Sequence, residues 1–306
     1  MNNQHPLTGF NLRASIDRIV IEVRLNQPTQ FQHVQARMAS AGAGKQYVHE
    51  IDPQTFRTTI QNPTGPDAFM VAVQALAPPG SGPVSESDVR ILEVEISLDA
   101  KPRAPADRDQ LVNATLHLVH HHANPPGKFR IVRSSEHWQG TTAPPSQMLF
   151  KVALQAGDNT ICAGWHADVV KRETWGDPFR LRAYVKEYDT NPKATDPKAT
   201  YKSLAQEKQA ARIEAILSGD RRPFTTVAEW RAFKFESLTK YFRQVRPTPA
   251  SQLAALSQRW LVALGQPTDI DKKASHRRNS MTGTARDTDL NRRIYVALTR
   301  LTQRQK

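Results

Sequence analysis

The stretch Phe179-Arg-Leu-Arg-Ala-Tyr-Val-Lys-Glu-Tyr-Asp189 alternates apolar and polar residues. In a β-strand, successive side chains point to opposite faces. Phe179, Leu181, Ala183 and Val185 then form one apolar row, and Arg180, Arg182, Tyr184, Lys186 and Tyr188 form the other. A strand of this kind buries one face, which predicts an antiparallel sheet covered on one side. Its polar row has two readings. Long basic side chains solvate an outer face while their stems lie over apolar surface. Alternatively, cations around a phenol make a phosphate-binding surface whose tyrosine attacks a phosphodiester.

Working outwards, Val89 to Asp99 is the cleanest alternation in the chain. Leu92, Val94, Ile96 and Leu98 line one side; Glu93, Glu95, Ser97 and Asp99 line the other. Ser15 to Leu25, Phe56 to Asn62, Phe129 to Arg133 and Met148 to Leu154 also read as strands. Gly157-Asp-Asn159 is a hairpin turn that delivers a strand from Thr160 to His166. Phe69 to Leu76 is a strand or a short helix. Ser203 to Leu217 begins as helix and continues as a strand with Arg212 and Glu214 on one side.

Helices are expected from Pro28 to Met38 and from Asp107 to His122. Everything after Arg222 has a helical pattern. Thr226 and Glu229 make a capping-box pair before Trp230, and Ser251 to Leu264 follows. After a basic connector from Asp271 to Gly283, Asp287 to Leu301 turns Leu290, Ile294, Ala297 and Leu301 inward and Arg292, Arg293 and Arg300 outward. The order predicts an α+β fold: a central, mostly antiparallel sheet with helices packed on one face, in two β-α-β-like halves. The expected division is a flexible lead-in (1–14), an α+β core (15–222) and a basic helical C-terminal region (223–306).

With 306 residues, 39% of them hydrophobic, the chain can bury a substantial core. Mean hydropathy is −0.57 and no run is apolar enough to span a membrane. The first residues, Met1-Asn-Asn-Gln-His-Pro6, have no basic or apolar signal region. The single cysteine, Cys162, excludes an internal disulfide and a cysteine-based zinc site, which fits a reducing cytoplasm. Net charge is +13, and from Asp271 to Lys306 ten Lys or Arg stand against three Asp. A localised basic surplus points to a polyanion, most often nucleic acid. RNA binding has only this charge behind it.

Three strands offer polar rows that can converge. Glu93, Glu95 and Asp99 come from one, Glu214 from another, and Tyr184, Lys186 and Tyr188 from the Phe179 strand. Clustered carboxylates suit a hard divalent cation, Mg²⁺ or Mn²⁺, which neutralises and polarises a phosphate. A phenol with a pKa of about 10 is a weak nucleophile unless positive charge lies beside it. Arg182 and Lys186 flank Tyr184 and are expected to supply that charge. His120-His-His122 superficially resembles the paired-histidine signature of relaxases, but it reads as a helix end, where histidines are favoured by the macrodipole. His166 can reach the same site. No glycine-rich phosphate loop is present; Gly42-Ala-Gly-Lys45 lacks the spacing.

Thr160-Ile-Cys-Ala-Gly-Trp165, Phe179-Arg-Leu-Arg-Ala-Tyr-Val-Lys186, Arg212-Ile-Glu-Ala-Ile-Leu217 and the acidic Val89–Asp99 strand together resemble the replication initiation proteins of rolling-circle plasmids and filamentous phages. In that family an aliphatic-Tyr-Asp-Lys strand precedes an Arg-aliphatic-Glu strand. The resemblance implies a metal-dependent endonuclease and strand transferase. Such a protein binds a double-stranded origin, nicks one strand through a tyrosine, and stays linked to the 5′ phosphate. Carried over, Tyr184 is the motif tyrosine, with Lys186 beside it and Tyr188 a rival nucleophile. Glu93, Glu95, Asp99 and Glu214 fall on acidic positions. Arg180, Arg182, Arg277, Arg278, Arg292, Arg293 and Arg300 are the expected contacts to double- and single-stranded DNA. A host helicase and a second copy of the chain are further partners that the resemblance allows. Val185 stands where the family has Asp, so either a ligand has moved to Glu187 or Asp189, or the site is degenerate. A non-catalytic DNA-binding protein on a related scaffold is the alternative.

Overall fold

The period-two segments of the sequence assemble into one eight-stranded antiparallel sheet. The structure, a computed structural model, describes residues 7–40, 48–127, 129–133, 147–157, 159–164, 177–190, 201–247 and 284–305. In chain order the elements are β1 (Phe10–Arg24), α1 (Phe31–Ser40), β2 (His49–Asp52), β3 (Thr55–Gln61), α2 (Pro66–Gln74), β4 (Val89–Pro102), α3 (Arg108–His120) and β5 (Arg130–Arg133). They continue with α4 (Gln147–Gln155), β6 (Asn159–Ala163), β7 (Phe179–Lys186), β8 (Tyr188–Thr190), β9 (Tyr201–Ser203) and β10 (Ala210–Ser218). The last are α5 (Val227–Ala232), β11 (Val245–Pro247), β12 (Thr284–Arg286) and α6 (Thr288–Arg304).

The sheet order is β2-β3-β1-β4-β10-β7-β6-β5. The two longest strands, β1 and β4, lie side by side, and β10 inserts between β4 and β7. On one face Val94, Ile96, Leu98 and Ala100 of β4 are fully buried, with Ile213 and Ala215 of β10 and Leu181 and Ala183 of β7. This face is covered by α3, which packs on β10 and β7, and by α6, which packs on β1. Leu290, Ile294, Ala297 and Leu301 of α6 belong to the same buried cluster as the strands, as the helical spacing predicts, and Leu298 joins them. The C-terminal helix is therefore part of the core rather than an appendage on it.

The capping box holds as read: Thr226 and Glu229 form it in full on α5. The helix expected from Asp107 is α3, and Asp107 caps it by accepting from the Gln110 amide at 2.7 Å. Other readings are corrected. Met148–Leu154 is the helix α4: Phe150, Ala153 and Leu154 are buried at helical spacing, which a short apolar run does not distinguish from a strand. Gly157, at φ 101°, thus joins a helix to β6 rather than two strands of a hairpin. Of the two readings of Phe69–Leu76, the structure takes the helix, α2, with Pro66 in its first turn. After Arg222 the pattern is not wholly helical, because Val245–Pro247 and Thr284–Arg286 pair as strands. Residues 7–14 are no loose lead-in: Leu7 is fully buried and β1 starts at Phe10. The expected helix at Ser251–Leu264 and the connector from Asp271 to Gly283 lie outside the described residues.

Two irregularities decide which side chains face which way. The register of β1 on β4 shifts between Ile16 and Arg18, leaving Asp17 as an extra residue. It shifts again between Val20 and Ile21, where Leu92 of β4 is extra. The second shift sends Ile91 inward in place of the expected Leu92, which is only half-buried.

Leu98 sits in the central strand with no exposed surface, whereas Val71 on α2 is 72% exposed. Leu98→Ala should lower the unfolding free energy in urea by about 2–5 kcal/mol, and Val71→Ala should change it by less than about 0.5 kcal/mol.

Candidate functional site

The face of the sheet opposite α3 and α6 is charged but not solvated. Directly paired residues of an antiparallel sheet point to the same side, so the register defines rows across β1, β4, β10 and β7. One row reads Arg18, Glu95, Ile216, Arg180. The next reads Ser15, Ser97, Glu214, Arg182, Cys162, and the third Arg13, Asp99, Arg212, Tyr184. The three polar strand faces expected to converge are therefore brought together.

The charges in these rows neutralise one another. Arg18 reaches Glu93 at 2.9 Å and Glu95 at 2.6 Å. Arg180 pairs with Glu93, and Arg182 with Glu95 and, at 2.9 Å, with Glu214. Arg212 donates to both oxygens of Asp99 at 2.6 and 3.0 Å and to Asp17 at 2.7 Å. Glu95 and Glu214 have no exposed surface, so each carboxylate depends on these cations to stay ionised out of water. Removing one partner of such a pair costs about 3–5 kcal/mol. Arg180 and Arg182 are thus committed to carboxylates rather than presented to DNA, a correction to their expected role.

Tyr184 donates its hydroxyl to Glu214 Oε1 at 2.6 Å. Burial and the Glu214 carboxylate hold its phenol well above the usual range, against the opposing pull of Arg212 and Arg182. The expectation that flanking cations activate it fails in this state, because those cations are already paired. Lys186 lies two residues on and is 3.9 Å from Asp189. Tyr188 leaves the face altogether: β7 ends at Lys186, and Tyr188 starts the separate β8–β9 ladder, 53% exposed. It is no rival nucleophile on this face.

The expected ligand set also changes. Oxygens of Asp17, Glu95 and Glu214 lie within 4.8 Å of one another, a spacing that suits a hard divalent cation. Glu93 and Asp99 are not in this group; Arg18 and Arg180 hold the first, and Arg212 both oxygens of the second. Glu187 pairs instead with Arg108 of α3, and Asp189 lies in β8. Neither replaces the family's Asp. Val185 packs against the apolar core, so that position faces away from the carboxylates. The sequence reading missed Asp17. Its signal was the run Ile16-Asp-Arg-Ile19, two polar residues in succession where alternation allows one, which marks a bulge.

The other candidates fall elsewhere. His120, His121 and His122 end α3 on the covered side of the sheet. There, His121 contacts the Val245 carbonyl at 3.0 Å and His122 the Tyr241 carbonyl at 2.9 Å. Burial takes His122 down to about 4 and the Cys162 thiol up to about 11, so neither is poised for chemistry near neutrality. Arg293 does not point outward as expected but donates to the Leu7 and Phe10 carbonyls, while Arg292 and Arg300 are exposed. His166, Arg277 and Arg278 lie outside the described residues. Compared with protein-family models, curated proteins and solved structures, the chain matches none. No helix among the described residues is long and apolar enough to cross a membrane.

Glu214 and Glu95 titrate in opposite directions. Burial, against Arg182 and reinforced by Glu95 and Asp17, pushes Glu214 up to about 7. Burial also works to raise Glu95, but Arg18 and Arg182 outweigh it and hold Glu95 near 2, at about 2. Glu214 therefore contributes stability that is full below about pH 4.3 and lost as pH rises to about 7. Glu95 contributes stability that is present above about 4.3 and lost as pH falls towards about 2. In urea titrations, Glu214→Gln should flatten the pH slope of unfolding free energy between these upper limits. A variant that keeps the wild-type slope there would show that Glu214 does not hold this proton.

Proposed function

We propose that this chain nicks and rejoins DNA through Tyr184 on a divalent-cation site, in the manner implied by its resemblance to rolling-circle replication initiators. The observation that carries the reading is the 2.6 Å contact from the Tyr184 hydroxyl to Glu214, itself one of three carboxylates clustered within 4.8 Å. A nucleophile, its proton acceptor and a cation-binding group coincide on one sheet face.

Asp17, Glu95 and Glu214 would hold Mg²⁺ or Mn²⁺, which supplies charge neutralisation at the scissile phosphate. Glu214 takes the phenolic proton as Tyr184 Oη attacks phosphorus. The P–O3′ bond breaks, a 5′-phosphotyrosine forms, and the 3′ oxygen leaves as a hydroxyl, taking the proton that Glu214 accepted. Attack by a 3′ hydroxyl on the phosphotyrosine reverses the step and rejoins the strand. Arg182 and Arg212, on either side of the phenol, oppose the negative charge that builds during attack.

A second reading has its own support. Arg18, Arg180, Arg182 and Arg212 are all paired, and the phenol is held protonated, as expected of a scaffold that binds DNA without cutting it.

The two separate on a supercoiled plasmid carrying the cognate origin, incubated with Mn²⁺ and resolved on a denaturing gel. The nicking reading predicts relaxed circles and a covalent protein–DNA adduct, lost in Tyr184→Phe and kept in Tyr188→Phe. No adduct from the wild type leaves the binding reading; an adduct that survives Tyr184→Phe overturns the assignment of the nucleophile.

A further inference from the structure

One position beyond the Arg13–Asp99–Arg212–Tyr184 row, the face changes character. Asn11 pairs with Lys101 across β1 and β4, and Lys186 pairs with Ala210 across β7 and β10. Because Ala211 pairs with Ala100, Lys101 is the residue on the other side of Ala210. This row, Asn11, Lys101, Ala210, Lys186, contains two lysines and no acid. Ala210 is fully buried and offers only a methyl group between them. Two strand spacings separate the lysines by about 10 Å at the backbone. Arg13, exposed, lies in the adjoining row on the same side.

The acids around this row are engaged. Both oxygens of Asp99 receive Arg212, and Glu187 holds Arg108. Asp189 stands 3.9 Å from Lys186. Lys101 is pushed below the usual lysine range, first by burial and then by the cations Arg13, Lys186 and Arg212. That crowding places the cations in one field, with only Asp99 opposing them at Lys101. Inside the three inner rows, by contrast, Arg18, Arg180, Arg182 and Arg212 are each paired with a carboxylate.

We propose that Lys101, Lys186 and Arg13 form a phosphate subsite for single-stranded nucleic acid. It seats the phosphodiester next to the one that Tyr184 meets. Its substrate class rests on the nicking reading. Lys186 is two residues from Tyr184 along one strand, about 7 Å, so a strand bound here runs past the phenol. Compact ammonium groups hold phosphate as point charges and tolerate any base sequence, which suits a positioning contact.

The test is fluorescence anisotropy with a labelled oligothymidylate, in chelator, between about 50 and 200 mM salt. The Lys101→Gln/Arg13→Gln double variant should bind more weakly at low salt, and its log–log salt slope should fall by about 1.4, the loss of two phosphate contacts. Lys101→Arg should restore its share of the slope. Arg231→Gln, which removes an exposed cation paired with Glu86 and Asp67 on α5, should keep the wild-type slope. An unchanged slope in the double variant, an equal loss in Arg231→Gln, or no binding by the wild type overturns the subsite. Binding through these residues without any covalent adduct would sink the nicking reading alone. An adduct-forming wild type whose double variant binds oligothymidylate normally would sink the subsite alone.

Discussion

Keeping Glu95 and Glu214 ionisable with no exposure to water is the constraint on which the rest of the structure depends. A buried carboxylate is tolerated only with cations and donors fixed around it. Three arginines meet that demand, Arg18 of β1, Arg182 of β7 and Arg212 of β10, and they come from strands far apart in sequence. The pairing of β10 between β4 and β7 is thereby specified twice. Apolar side chains define it on the covered face, and on the other face Arg212 must meet Asp99 and Glu214 must meet Arg182. A slip of one residue would turn every arginine of β7 into the apolar core.

Alternation in the sequence was enough to find this frame. Val89–Asp99, Phe179–Lys186 and Ala211–Leu217 emerge as strands with the expected faces, because a half-buried strand writes its period directly into the chain. The rows of opposite charge were also legible, and their convergence is what the register delivers. The pairing of those charges was not. A sequence shows that Arg182 and Glu95 share a face type but not that they touch, so cations that looked available for DNA or for activating Tyr184 are spent on carboxylates. Periodicity also fails where it is short or interrupted. The nine residues of α4 fit either element, β7 stops before Tyr188, and the bulge at Asp17 hides a cluster carboxylate behind a broken alternation.

The neutralised rows and the cationic end of the face suggest a division of labour. The inner network holds Tyr184 in place against a proton acceptor, while charge not spent inside the network lies at Lys101, Lys186 and Arg13. Glu214 links the two states of such a site. Its proton is held near neutrality by burial and by the other carboxylates, and a cation arriving at the cluster competes for the same oxygens. A fully paired, protonated resting face is then compatible with one that accepts cation and phosphate together.

A Mn²⁺ soak of crystals of this chain, read by anomalous scattering, examines that cluster most directly. A peak bounded by oxygens of Asp17, Glu95 and Glu214 is the predicted result, with Arg18 or Arg182 drawn away from the carboxylates. Saturating Mn²⁺ that leaves those arginine contacts intact and produces no peak on this face would contradict it.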